Sequence, residues 1–385
     1  MSNFIFNTTK SIFAEAGASA RMADIAGRLL GNRVLLVTDK GVRGLGLADA
    51  AIVSLETNGI AVAIFDEVAA DPPESNIHAL VAAVKMHQAT GILAIGGGSP
   101  MDVAKVVALL VGGGEKLADV YGVNLARGPR LPLVLVPTTA GTGSEVTPIA
   151  IITTGDAEKK GVVSPLLLPD MAILDADLTL GLPPAVTAAT GIDAMVHAIE
   201  SYASTSANNN PISRGLARQA LQLLGANIRE AVFNGSNRDA RSAMLLGSLL
   251  AGQAFANSPV AAVHALAYPI GGHFHVPHGL SNALVLSHVL RFNLPAASEV
   301  YAEIAADIFP ELLNVPVVDR AKAFIGSLAD LGRELNIPQS LREVGIPRDA
   351  LPMMARDAMK QSRLLVNNPR PLAEEDALAI YEDAF

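Results

Sequence analysis

The stretch LAIGGGSPMDVAK, residues 93–105, is the junction that decides the fold class of this chain. An apolar run ends at Ile95, three glycines follow, and Ser99 and Pro100 then provide the residue types that open helices. The pattern predicts a buried strand, a tight turn and a helix with Ser99 as N-cap, and Asp102 has the spacing of a capping box. Backbone N–H groups at such a turn bind phosphate, although a well-capped turn without a ligand explains the pattern equally well. The spacing G-x-G-x-x-G is absent, so this is not an ordinary dinucleotide fingerprint.

Short apolar runs of the same kind recur through the first half of the chain. Each ends in a polar or glycine turn, and the nearly continuous apolarity indicates strands that are buried on both faces. Helical patterns lie between several of them, and this alternation predicts a parallel α/β sheet whose ligands bind at the carboxyl ends of the strands. The runs are RVLLVTD (33–39), AVAIFDEV (61–68), GILAIGGG (91–98), LPLVLVPTT (131–139) and MAILDAD (171–177), and the helical patterns are LADAAIVSLETNG (47–59) and SNIHALVAAVKMHQAT (75–90).

Polar residues directly after two of these runs are candidate ligand contacts. Thr138, Thr139, Thr142 and Ser144 follow one run, and their hydroxyls suit a phosphate, a ribose or a carboxamide. Asp39 follows another, where a carboxylate accepts both ribose hydroxyls of adenosine and repels a 2′-phosphate. A solvated loop is the alternative for the hydroxyls, and a helix-capping aspartate is the alternative for Asp39.

The composition of the 385 residues excludes several classes of protein. Half of the residues are hydrophobic and 17% are charged, which suits substantial cores rather than disorder. A net charge of −9 disfavours nucleic acid as a partner, because its phosphates repel an acidic surface. The absence of cysteine excludes disulfides and cysteine metal sites. The chain shows no secretory signal and no apolar run of about 18 residues, so we expect a cytoplasmic protein without a membrane partner.

The second half of the chain is helical in pattern and contains a candidate metal site. Asp193 and His197 lie four residues apart among apolar neighbours, so they share one helical face beside a buried surface. His264 lies in the helical stretch SPVAAVHALAY, and we expect this helix to end at Gly271 and Gly272, which follow Pro269. His278 lies between a proline and a glycine that hold its backbone. One carboxylate and three imidazoles suit Fe²⁺ or Zn²⁺ with a position left for substrate, although ordinary hydrogen bonding explains each histidine by itself.

Four motifs, in this order, resemble those of the iron-dependent (group III) alcohol dehydrogenase family. They are GGGSPMDVAK (96–105), PTTAGTGSEVT (137–147), GIDAMVHAIESYAS (191–204) and HALAYPIGGHFHVPHG (264–279). The resemblance extends over nearly the whole chain. It implies an N-terminal α/β domain with a parallel sheet that binds NAD, residues 1–181, and an all-α C-terminal domain that binds metal and substrate, residues 182–385. It also implies an active site in the cleft between them.

The resemblance further implies roles for individual residues and an assembly. Asp39 matches the family position that contacts the adenosine ribose, so NAD is expected rather than NADP. Family members are commonly homodimers, so a homo-oligomer is expected. The expected metal ligands, usually for iron and sometimes for zinc, are Asp193, His197, His264 and His278. The other expected cofactor-binding residues are Gly97, Gly98, Ser99, Asp102, Thr138, Thr139, Thr142 and Lys159.

Tyr268 is a departure from the family pattern. Many family alcohol dehydrogenases carry a histidine at this position, four residues after the ligand at 264, where it faces the substrate and is often assigned a proton relay. A phenol has a reference pKa of about 10 and is a poorer base at neutral pH. We therefore keep Tyr268 and His275 as candidates for proton transfer, with His273 as a further one. Tyrosine here also resembles hydroxyacid-oxidising members such as the 4-hydroxybutyrate dehydrogenases.

The function expected from the resemblance is hydride transfer between a small alcohol, or a hydroxyacid, and NAD, which interconverts the alcohol with an aldehyde or ketone. The metal would act as a Lewis acid without changing its redox state. Glycerol dehydrogenases, dehydroquinate synthases and maleylacetate reductases are alternatives on the same fold. A metal-dependent hydrolase and a metal or nucleotide sensor are alternatives from other classes. The glycine and threonine loops disfavour the hydrolase, and nothing resembles an effector module for the sensor.

Overall fold

The computed structural model describes residues 3–155 and 158–385, and the chain divides into two compact units. One unit is Asn7–Gly181, and the other is Leu182–Phe385 together with the N-terminal segment that ends at Phe6. Ile5 shows why this segment groups with the second unit. Its backbone N–H donates to Asn208 Oδ1 and its carbonyl accepts from Asn208 Nδ2, both at 2.9 Å.

Nine strands among the described residues of the first unit form two sheets. They are β1 (Ser11–Ala14), β2 (Arg33–Val37), β3 (Ala61–Phe65), β4 (Gly91–Gly96), β5 (Gly122–Val123), β6 (Leu133–Pro137), β7 (Ile149–Thr154), β8 (Glu158–Val163) and β9 (Met171–Leu174). The larger sheet has the order β1-β9-β6-β4-β2-β3, and all its pairs are parallel. This confirms the predicted parallel sheet, and five of its six strands come from the five apolar runs. The smaller sheet, β5-β8-β7, contains the antiparallel β7–β8 pair and was not predicted.

Alternate residues of the parallel strands enter two separate cores. Val34 and Leu36 of β2 pack in one core, and Leu35 and Val37 pack in the other. The first core contains α1 (Met22–Leu30) and α3 (Asp49–Thr57), and the second contains α4 (Glu74–His87) and α5 (Gly98–Gly113). Burial on both faces explains the continuous apolarity of the runs. The remaining helices of this unit are α2 (Lys40–Gly44) and α6 (Leu117–Val120).

The second unit is helical, as predicted. Its helices are α7 (Pro184–Ala203), α8 (Pro211–Phe233), α9 (Arg238–Asn257), α10 (Ala262–Phe274), α11 (His278–Ile308), α12 (Val317–Glu334), α13 (Leu351–Met359), α14 (Ser362–Leu365) and α15 (Glu374–Asp383). The helix α7 packs against α8, α9 and α11. Gly191 permits this close packing, because a Cβ there would lie 2.9 Å from Ile228 Cδ1 and from Met244 Cε. Among the described residues, we find no helix that is both long and apolar enough for a bilayer.

Short 3-10 helices complete the described secondary structure. In the first unit they are Ala18–Arg21, Ser144–Val146, Pro165–Leu167 and Ala176–Thr179. In the second unit they are Pro310–Asn314, Leu341–Val344 and Arg348–Ala350.

Two helix boundaries differ from the sequence predictions. Gly97, not Ser99, is the N-cap of α5, and the cap makes no side-chain hydrogen bond. The strand β4 runs one residue further than expected, to Gly96, whose carbonyl accepts from the Thr138 N–H at 3.0 Å, so the turn is tighter. The helix α10 does not end at Gly271 and Gly272 but continues to Phe274, because it is packed against α11 and α13 and the interior Pro269 removes only one backbone N–H.

Candidate metal centre and cofactor loops

The four predicted metal ligands lie together in the helical unit. Asp193 and His197 lie on α7, His264 lies on α10, and His278 is the first residue of α11. Each offers one donor atom, and the four atoms lie within 4.8 Å of one another. The first three side chains are buried, whereas that of His278 is 43% exposed. Such a cluster can hold a divalent ion and keep one side open to a substrate.

Gly279 brings α11 next to α7. A Cβ at this position would lie 2.6 Å from Ala189 O and 3.2 Å from Asp193 Cβ, so only glycine permits the approach. The contact places His278 Nε2 3.8 Å from Asp193 Oδ1. The ring of Phe255 stacks on that of His197 with centroids 4.3 Å apart, which restricts the imidazole on its other face.

The electrostatics of the cluster keep Asp193 ionised. Burial raises the pKa of this carboxyl, but His197, His278, His264 and the Asn282 amide outweigh that effect. The net result is a pKa below the usual value. An ionised carboxylate is the form that binds a cation.

The hydrogen bonding of Asn282 shows that the cluster fits a cation. Its Nδ2 lies 2.6 Å from Asp193 Oδ1 and 3.3 Å from the Nε2 atoms of both His264 and His278. The Nε2 atoms of His264 and His197 lie 3.0 Å apart. The amide of Asn282 has two N–H hydrogens for these three neighbouring atoms. A divalent cation can instead bind all four candidate donor side chains. Within the described chain, the buried Asn282 Oδ1 also has no hydrogen-bond partner.

Glu200 is a functional candidate that the sequence analysis missed. It lies on α7 and is 5% exposed, and its Oε2 lies 2.7 Å from His264 Nδ1. Its Oε1 accepts from the Val263 N–H at 2.7 Å. The signal was present in the sequence, because Asp193, His197 and Glu200 follow the i, i+4, i+7 spacing of one helical face.

The candidate proton-transfer residues lie on α10 and at its end. Tyr268 is half-buried, one helical turn after His264, and its ring centroid lies 6.2 Å from that of His278. His275 is exposed and ends the helix in the left-handed conformation, with φ of 55°. His273 Nε2 lies 2.6 Å from Asp357 Oδ2, so this side chain pairs with a residue of α13.

The glycine turn and the threonine loop are neighbours in the sheet unit. A Cβ at Gly97 would lie 3.8 Å from Thr139 Oγ1, and one at Gly98 would lie 3.1 Å from Thr142 Cγ2. Thr138 is buried at the end of β6, beside β4. The two segments that were predicted to bind cofactor therefore form one surface at the carboxyl edge of the sheet.

Asp39 adopts the helix-capping role that was the alternative, and it also lies beside this surface. Its Oδ1 accepts from the Val42 N–H at 2.9 Å at the start of α2. Its Oδ2 lies 3.6 Å from the position of a Cβ on Gly96. One carboxylate oxygen thus caps a helix while the other lies beside the glycine turn.

Asp102 and a buried lysine connect the turn to the loop. Asp102 Oδ1 accepts from Ser144 Oγ at 2.6 Å, and Oδ2 accepts from the Ile151 N–H at 2.9 Å. Lys105 is fully buried, and its Nζ donates to Ser144 Oγ at 2.7 Å and to Thr147 Oγ1 at 3.1 Å. One Asp102 oxygen therefore holds the threonine loop, and the other holds the neighbouring strand β7.

Lys159 lies on β8, away from this network. Its Nζ pairs with Asp71 Oδ1 at 2.5 Å and donates to Thr153 Oγ1 at 2.9 Å. Its side chain is 15% exposed.

Two family models match the two parts of the sequence in order. The model described as "Iron-containing alcohol dehydrogenase" matches residues 9–176, and the model described as "Fe-containing alcohol dehydrogenase family, C-terminal" matches residues 187–385. The chain belongs to the iron-containing alcohol dehydrogenase family. It is therefore an enzyme, an oxidoreductase that interconverts alcohols and aldehydes.

Curated relatives are similar over nearly their whole length. The chain is 40% identical to 1,3-propanediol dehydrogenase of Klebsiella pneumoniae over 358 residues, 92% of each chain. It is 39% identical to long-chain-alcohol dehydrogenase 1 of Geobacillus thermodenitrificans over 372 residues, 96% of this chain and 93% of the relative. It is 38% identical to sulfoacetaldehyde reductase of Bilophila wadsworthia over 386 residues, 99% of each.

Solved structures share the fold. A 1,3-propanediol oxidoreductase superposes with a TM-score of 0.95 at 38% identity, covering 100% of both chains. A sulfoacetaldehyde reductase from Bifidobacterium kashiwanohense, solved in complex with NAD⁺, superposes with a TM-score of 0.88 at 27% identity, covering 100% of this chain and 99% of that one. These likenesses confirm the predicted fold class of a parallel α/β part followed by an all-α part.

Proposed function

We propose that this enzyme transfers hydride between a small alcohol and NAD with a divalent cation bound by Asp193, His197, His264 and His278. The observation that carries the proposal is the meeting of four donor atoms, from three helices, within 4.8 Å. One carboxylate and three imidazoles suit Fe²⁺, with Zn²⁺ as the alternative. The family name supports iron. In this proposal the unit Leu182–Phe385 binds the metal and the unit Asn7–Gly181 binds NAD.

The chain's own residues then prepare the reaction at the metal. When bound, a divalent cation supplies Lewis-acid polarisation of the substrate oxygen. Asp193 contributes a negative charge that is held in the ionised form by its neighbours. The exposed side of His278 leaves an approach for the substrate, while stacking by Phe255 closes the side of His197.

Tyr268 and His275 are proposed to handle the proton of the alcohol. Tyr268 lies one turn beyond a ligand and beside another, so its hydroxyl is suited to hydrogen-bond a substrate oxygen. His275 is exposed and is suited to exchange a proton with solvent. Tyr268 is proposed to act chiefly as a hydrogen-bonding group and His275 as the proton acceptor.

NAD is proposed to bind across the joined surface of the glycine turn and the threonine loop. The N–H groups of Gly98 and Ser99 in the first turn of α5 suit the pyrophosphate. The Asp39 Oδ2 suits the adenosine ribose hydroxyls and repels a 2′-phosphate. The hydroxyls of Thr138, Thr139 and Thr142 and the ammonium of Lys159 are the further proposed contacts, and Asp102 is proposed to act by holding the loop.

The proposed substrate is a primary alcohol or the corresponding aldehyde. The names of the three curated relatives refer to a long-chain alcohol, a propanediol and sulfoacetaldehyde, so the fold accepts substrates with different tails. Tyr268 favours a hydroxyacid such as 4-hydroxybutyrate as the second candidate, since the tyrosine resembles the pattern in hydroxyacid-oxidising members.

A homodimer is the proposed assembly. The strand β1 lies at the edge of the parallel sheet, and Ile12 on this strand is 42% exposed. An unpaired strand edge with an exposed apolar side chain favours pairing with a second chain.

The test is a substrate panel with NAD and with NADP, run on protein reconstituted separately with Fe²⁺ and Zn²⁺. Formation or loss of NADH absorbance should require metal, and His264→Ala or His278→Ala should abolish it, because each removes a donor. His78→Ala, which changes an exposed histidine of α4, is the control and should retain full turnover. Undiminished activity of His264→Ala without added metal would contradict the proposal.

A further inference from the structure

We propose that Glu200 is a positioning residue that fixes the protonation of His264 and so presents its Nε2 to the cation. The inference rests on the proposed metal site, and it assigns a role to a residue outside the four donors. Glu200 is buried on the same helix as Asp193 and His197 and reaches across to α10.

The two oxygens of Glu200 serve two separate donors at the start of α10. Oε1 accepts from the backbone N–H of Val263, which lies in the first turn and has no partner within the helix. Oε2 lies 2.7 Å from Nδ1 of His264, the next residue. A carboxylate has only acceptors, so the Nδ1 position of His264 must carry the hydrogen.

The direction of this hydrogen bond decides which atom of His264 can bind metal. A neutral imidazole with hydrogen on Nδ1 has a free lone pair on Nε2. That Nε2 atom faces the cluster, 3.0 Å from His197 Nε2 and 3.3 Å from Asn282 Nδ2. Carboxylates that accept the second N–H of a ligating histidine orient the ring and raise its basicity.

Glu200→Gln separates this role from simple helix capping. The amide oxygen of glutamine can still accept from the Val263 N–H, and the side chain has nearly the same shape. Its NH₂ group then faces His264 Nδ1, which must become an acceptor and move the hydrogen to Nε2. The variant therefore keeps the packing and the cap but blocks the donor atom of the metal site.

The main experiment is a competition between protein and a chelator for Zn²⁺ at pH 7. We expect the Kd for Zn²⁺ to rise by about 10- to 100-fold in Glu200→Gln. Glu303→Gln is the matched control, because Glu303 accepts from the hydroxyl of Tyr202, another residue of α7, and its Kd should equal that of the wild type. Glu200→Asp keeps an acceptor-only group and should lose less affinity than Glu200→Gln.

A second readout does not depend on metal binding. Nitrogen NMR of the metal-free wild type should show His264 with hydrogen on Nδ1, and Glu200→Gln should shift it to Nε2. An unchanged Kd in Glu200→Gln, or hydrogen on Nε2 in the wild type, would overturn the role of Glu200. Failure of the metal site itself gives a different result, since His264→Ala would then bind Zn²⁺ as tightly as the wild type.

Discussion

At the scale of single residues, the sequence predicted the four candidate donors and placed Glu200 on their helical face by spacing, but it did not predict the contacts that Glu200 and Asn282 make. Asp193 and His197 share a helical face by spacing alone, and the family resemblance adds the ligands on other segments. Glu200 and Asn282 touch those donors only after folding, for the Glu200–His264 contact joins residues 64 positions apart. No local pattern in the sequence specifies which helix meets which.

Asp39 gives the prediction that belongs to this scale. Asp39→Gly should relax the preference for NAD over NADP by about 10-fold or more in kcat/KM, because the carboxylate that repels a 2′-phosphate is gone. Stability should change little, since glycine replaces an N-cap aspartate at a cost of only a few tenths of a kcal/mol. Steady-state kinetics with NAD and with NADP measure the ratio of the two kcat/KM values.

The matched control for Asp39 is Asp66→Gly. Asp66 follows β3, the edge strand, as Asp39 follows β2. The variant therefore tests the loss of a carboxylate after a neighbouring strand. Its preference ratio should stay at the wild-type value. An unchanged ratio in Asp39→Gly would remove Asp39 from cofactor selection.

At the scale of elements, the apolar runs predicted five of the six parallel strands, but two predicted helix boundaries were wrong. Ser99 has the type of an N-cap, yet the helix begins earlier because β4 continues to Gly96 and the turn closes on Gly97. Asp102 does not complete a capping box, because its carboxylate bonds Ser144 and Ile151 in another segment. For Ser99 and for Asp102, tertiary hydrogen bonds outweighed the local helix-capping pattern.

The threonine loop contains a buried acid that makes the stability of its unit depend on pH. Burial raises the pKa of Glu145 to about 7, against the attraction of Lys105, which lowers it. The folded-state pKa is above the unfolded one, so the stabilising effect is complete below pH 4.5 and is lost as pH rises through about 7. The loss is on the order of 3 kcal/mol.

Glu145→Gln should remove this dependence. Between pH 5 and pH 8 the melting temperature of the wild type should fall by more than that of the variant, because an amide does not titrate. Thermal melts at both pH values measure this fall in melting temperature. The control is Glu67→Gln, at an exposed position after β3, which should show the same fall as the wild type. An equal change of melting temperature with pH in the wild type and in Glu145→Gln would show that Glu145 is not buried in its neutral form.

At the scale of the whole molecule, the order of runs and helices predicted one parallel α/β part and one helical part. The segment before Asn7 was placed in the first part, yet it groups with the helical unit through the Ile5–Asn208 bonds, which join residues 203 positions apart. The small sheet of β5, β7 and β8 was also missed, since β5 has only two residues and β8 begins with three charged residues, although β7 contains the apolar run IAII. Contacts of this range have no periodic signature.

The most direct test is anomalous diffraction from crystals grown with Fe²⁺ or Zn²⁺, measured at the absorption edge of the metal. One strong peak should lie against the Asp193 carboxylate and the imidazoles of His197, His264 and His278. A cation bound elsewhere on the chain, with those four side chains free of it, would contradict the assignment of this cluster as the metal centre.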